Sequence, residues 1–82
     1  MATEHHLKID PELFDAVRRR DKTAEIRRDD RGFNIGDVLI IYPFDRESGQ
    51  RVGTDECHRV VTHKVDGGQF GIEAGYCLLS MN

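Results

Sequence analysis

The chain of 82 residues has no apolar run approaching the length needed to cross a bilayer, which takes about 20 consecutive residues. Its opening, MATEHHLKID, has no basic region followed by an apolar stretch. No secretory signal is therefore expected, and a cytoplasmic location is the default. Cysteine is scarce: Cys57 and Cys77 are the only two. Both fall in strand-like apolar runs, so buried free thiols are expected rather than a disulfide framework. No C-x2-C or H-x3-H spacing joins Cys57, His58 and His63 to His5 or His6, so no metal site and no cofactor are expected. Repeats, linkers and low-complexity tracts are also missing. What is left is one small soluble domain over 1–82 with a single core; a chain this size buries only about 60% of the surface it exposes when unfolded.

Within that domain the apolar residues are laid out by period. HHLKI (5–9) reads as a strand with Leu7 and Ile9 on one face. Asp10 then reads as the N-cap of a helix, Pro11 as its first residue and Glu12 as a carboxylate at the positive dipole end. Leu13, Phe14 and Val17 form its apolar stripe. KTAEIRR (22–28) alternates, which places Ala24 and Ile26 towards the core and Thr23, Glu25 and Arg27 towards solvent or a cleft. DVLIIYPFD (37–45) is apolar on both faces and reads as a strand covered on two sides, with Pro43 marking an edge or bulge near its end. RESGQRVG (46–53) reads as a hairpin loop, DECHRVVTHKV (55–65) as the returning strand, DGGQFGIEAG (66–75) as a glycine-rich loop and YCLLSM (76–81) as a final strand. The predicted architecture is α+β and mostly β: a small antiparallel barrel of about five strands with one main helix at one end.

Charge is unevenly spread. Residues 18–31 hold seven of the twelve Lys and Arg against four carboxylates, a local net charge of +3 in a chain whose total is −3. The segment reads either as an anion-binding face or as an ordinary solvated surface, with Arg18 and Arg19 also suited to the negative end of the helix dipole.

These residues carry a family likeness. The run from His5, Leu7, Lys8 and Ile9 through Pro11, Phe14 and Val17, followed by K-T-x-E-I-R (Lys22 to Arg27) and by Asp30, Arg31, Phe33, Gly36, Asp37, Val38 and Leu39, resembles the ASCH domains of the PUA-like superfamily. It is most similar to a short bacterial and phage subgroup of unknown function, and DGGQFGIEAGYCLLSM resembles that subgroup's ending. The resemblance spans nearly the whole chain. It implies a PUA-like β-barrel with a cleft beside the helix, lined by Lys22, Thr23, Glu25 and Arg27, and a partner that is RNA, a nucleotide or a modified nucleoside. Some ASCH proteins are similar to amidohydrolases that deacylate a modified cytidine, using a lysine, a threonine three positions later and a downstream glutamate. Lys22 matches that lysine, but Glu25 stands at the threonine position, so the hydrolytic set is broken. The family's glycine after the helix is Arg20 in this chain.

The expected function is thus a non-catalytic RNA- or nucleotide-binding domain. Hydrolysis of an acylated cytidine and a protein-interaction accessory role are the alternatives. The candidate ligand residues each suit the chemistry. Arg27 can bind phosphate bidentately or stack on a base, and Lys22 can neutralise phosphate. Glu25 can accept from a base amino group, and Thr23 can donate a hydroxyl. His5, on the first strand, is a further candidate. Gln69 and Phe70 are presented by the glycine-rich loop, where Phe70 reads as a core plug before a stacking platform. Net negative charge argues against sequence-blind binding of long duplexes, which draws on many phosphate contacts.

Overall fold

The computed structural model describes residues 2–82. Seven elements follow one another: β1 Glu4–Ile9, α1 Pro11–Arg18, β2 Ala24–Arg28, β3 Val38–Asp45, β4 Gln50–Arg51, β5 Cys57–Asp66 and β6 Tyr76–Met81. The six strands form one sheet in the order β1-β3-β5-β6-β2, with β4 attached to β3. The expected mostly-β domain with one helix is present, but the expected closed barrel of five strands is not. The sheet stays open between β1 and β2, and β1 runs parallel to β3. The sixth strand, β4, is two residues long and lies inside the predicted 46–53 loop.

Alternation builds the core. β1 buries His5, Leu7 and Ile9, and β6 buries Cys77, Leu79 and Met81, every second residue in each case. Phe14 and Val17 of α1 join Leu39 and Ile41 of β3 and Val61 of β5 in the same cluster. Ile40 is buried on the opposite face of β3, as its two-sided apolar pattern requires. Phe33, in the loop before β3, is a fully buried side chain. Cys57 and Cys77 are free and buried. β3 changes partner around Pro43, pairing with β5 up to Ile41 and with β4 from Phe44, while the register shift in the sheet falls on β5 between Val61 and His63. No helix among the described residues is long and apolar enough to cross a membrane.

Three local expectations need correction. Asp10 makes no side-chain cap; its carboxylate takes a hydrogen bond from Arg46 Nε at 2.8 Å instead. Leu13 is not in the core but partly exposed. On β2, Ile26 is not in the core but 58% exposed, whereas Glu25, expected to face solvent or a cleft, faces a cleft and is only 7% exposed. A carboxylate tolerates such burial only beside cations, here Lys22 and Arg27.

Candidate functional site

Hydrogen-bond parity along β2 explains where its polar face points. Met81 N donates to Thr23 O, and the register pairs Glu25 with Leu79 and Arg27 with Cys77. The backbone groups of Thr23, Glu25 and Arg27 are therefore used by β6, and those of Ala24, Ile26 and Arg28 point away from it, towards the opening. On the far side, Val38 N donates to Thr3 O, so the backbone groups of His6 and Lys8 also face the opening. Two strand edges thus look at each other across a seam without a backbone ladder between them. Basic side chains fill part of that need. Arg27 Nη1 donates to Lys8 O at 3.2 Å, Arg31 Nη1 to His6 O at 2.7 Å and Lys22 Nζ to Ala24 O at 2.6 Å.

At the α1 end of this seam lies a cavity of about 290 Å³ lined by Lys8, Ile9, Asp10, Leu13, Glu25, Arg27, Phe44 and Arg46. Ile9, Leu13 and Phe44 make an apolar wall. Lys8 Nζ stands 4.6 Å from the centre of the Phe44 ring, a cation–π distance. Arg46 and Asp10 pair across the rim. That hydrogen bond holds the Asp10 carboxyl below its ordinary range and raises Arg46. Glu25 is the buried charge of the site. Its Oε1 is 3.3 Å from Lys22 Nζ, while its Oε2 is 3.9 Å from Arg27 Nη1 and has no hydrogen-bond donor. The lining carries three cations and two carboxylates, with Lys22 adding a fourth cation behind Glu25.

Of the residues singled out in the sequence, the fold brings Glu25 and Arg27 into the cavity, with Lys22 in contact with Glu25 from outside the lining. Thr23 is exposed just before β2 and does not line the cavity. His5 is outside the cavity as well: at 6% exposure its Nε2 pairs with Asp37 Oδ2 at 2.8 Å, and its ring packs 4.7 Å from that of Phe33. That pair, with backbone donors from Asn34 and Thr3, keeps the Asp37 carboxyl below its usual range. Gln69 bonds Asp66 O within its own loop. Phe70 is no core plug: it is 86% exposed and holds a left-handed φ of 53°.

The +3 segment does not converge into one patch. Arg18 pairs with Asp15 and Arg19 with Asp21 on the surface, Arg28 lies over the Tyr76 ring, and Arg31 closes the seam. Of the segment's seven cations only Arg27 lines the cavity. The other cavity cations, Lys8 and Arg46, come from distant parts of the sequence. Nothing local flagged them: Lys8 is one solvent-side residue of a strand, and Arg46 meets Asp10 across 36 positions.

A family model described as a domain of unknown function, DUF3850, matches residues 4–81. The chain belongs to that family. No curated protein matches it. The DUF3850 match runs from the start of β1 to the end of β6 and therefore includes every residue that lines the cavity.

Proposed function

We propose that the protein binds a nucleotide, or one unit of a short single-stranded RNA, in the seam cavity and leaves it chemically unchanged. The observation that carries this reading is the lining: Lys8, Arg27 and Arg46 surround an apolar wall of Ile9, Leu13 and Phe44. Cations at the rim suit phosphate, and an aliphatic and aromatic wall suits the face of a base. The volume, about 290 Å³, lies at the small end of ligand sites, roughly 300–1,000 Å³, so it suits a single unit and not a duplex. The resemblance of K-T-x-E-I-R and its surroundings to ASCH domains supports the same ligand class. Hydrolysis gains no observation of its own, since Thr23 lies outside the cavity and the Lys22 ammonium is bound to Ala24 O and Glu25.

The test is titration of the whole chain with nucleoside monophosphates, followed by backbone NMR. Shifts concentrated at Lys8, Glu25, Arg27 and Arg46 are expected. Spectra unchanged at millimolar ligand would remove the proposal.

A further inference from the structure

Resting on that reading, we infer that the groove selects bases bearing an exocyclic amino group over their keto counterparts, with Glu25 as the selecting residue. The carboxylate lines the cavity at 7% exposure, and only one of its oxygens is served. Lys22 Nζ, which donates to Ala24 O, forms an ion pair with Oε1 at 3.3 Å. Oε2 has no donor; its nearest cation, Arg27, is 3.9 Å away, beyond hydrogen-bond range, and spends its Nη1 on Lys8 O. An ionised carboxylate can only accept, so the ligand atom that satisfies Oε2 must carry a hydrogen. An amino group on cytosine or adenine supplies one. The keto oxygen of uracil or hypoxanthine sets acceptor against acceptor and leaves both buried without a donor. Oε2 is closed to solvent, so selection requires the ligand's phosphate to draw the Arg27 guanidinium outward and open Oε2 to the base edge.

Sites built around a required hydrogen bond discriminate against ligands that lack it, and a preference of about ten- to hundredfold is expected from one buried acceptor. The experiment measures dissociation constants of the full chain for two matched pairs, cytidine against uridine 5′-monophosphate and adenosine against inosine 5′-monophosphate. In each pair the amino-bearing member binds at least tenfold more tightly. Glu25→Gln, whose carboxamide can donate to a keto oxygen, narrows or inverts both preferences; its backbone NMR spectrum reports that the fold is intact. Equal constants within both pairs for the unaltered chain, with shifts mapping to the groove, would overturn the selection while leaving the groove as a nucleotide site. No binding of any of the four would overturn both.

Discussion

Replacing Arg20 by glycine should make the protein more stable, although it removes a side chain and adds nothing. Helix α1 ends in a Schellman turn: Arg20 N donates to Val17 O at 3.0 Å and Asp21 N to Ala16 O at 3.0 Å. That turn requires a left-handed residue after the cap, and Arg20 supplies it with φ 66°. A side chain in that conformation costs about 1–2 kcal/mol. Glycine removes the cost but is freer in the unfolded chain, which returns about 0.5–1 kcal/mol. The difference is a net gain of about 0–1.5 kcal/mol, centred near 0.75. Among the described residues the Arg20 side chain has no hydrogen bond or ion pair to lose, in contrast to Arg18 and Arg19. For a domain of this size each kcal/mol moves the melting temperature by about 4–8 °C. Arg20→Ala is the control, because it deletes the side chain and keeps the steric problem, so it should stay within about 0.5 kcal/mol of the starting protein. Thermal unfolding followed by circular dichroism compares the three. A glycine variant that melts at or below the alanine variant would refute the strain argument.

Gly67→Ala should have the opposite effect, because its new Cβ would overlap the backbone carbonyl oxygens of Glu73 and Tyr76 at the neck of the β5–β6 hairpin. A loss of about 1–3 kcal/mol or more in urea unfolding is expected, against about 1 kcal/mol for Gly68→Ala, whose site is open and whose only problem is φ +83°. Asp37 titrates below its ordinary range because His5 and two backbone amides favour its charged form. Its contribution is therefore complete above the unfolded carboxylate pKa of about 4 and is lost as pH falls through the lower folded value. The stability gap between the starting protein and Asp37→Asn should accordingly be widest near neutral pH and should shrink on acidification below about 4; a gap constant from pH 7 to 2 would contradict this. Arg27→Ala should weaken nucleotide binding by about tenfold or more, the scale of one charge-assisted hydrogen bond, and should weaken nucleoside binding less. Equal losses for both ligands would show that Arg27 does not meet the phosphate.

How far the fold could be read beforehand depended on the range of the forces involved. β1 and β6 alternate strictly between core and outside, so their apolar residues located them without help. Asp10-Pro11-Glu12 marked the start of α1 correctly, but the Asp10 side chain serves Arg46 rather than the helix end. On β2 only the apolar face departs from expectation, since Glu25 and Arg27 do line a cleft. Ala24 and Ile26 are the apolar pair, and an isolated strand would turn them inward. The cavity reverses that choice, because Lys22 and Arg27 flank Glu25 closely enough to let it be buried, and Ile26 is left outside. Of the site, Glu25, Arg27 and the contacting Lys22 were legible because they share one short motif. Lys8, Asp10, Phe44 and Arg46 were not, since their common location exists only once β1, α1 and the end of β3 are brought to the seam.

The seam also accounts for three of the seven cations in residues 18–31. An open sheet presents backbone groups that invite a foreign strand, and basic side chains are a common guard. Here the guard is specific: Lys22, Arg27 and Arg31 each donate to a named carbonyl on the two facing edges. Arg27 differs from the other two in lining the cavity as well. Its Nη1 serves Lys8 O, which leaves the other N–H groups of the guanidinium for the proposed ligand. Arg31, bound to His6 O at 2.7 Å, lies outside the cavity lining and covers the edge beyond it.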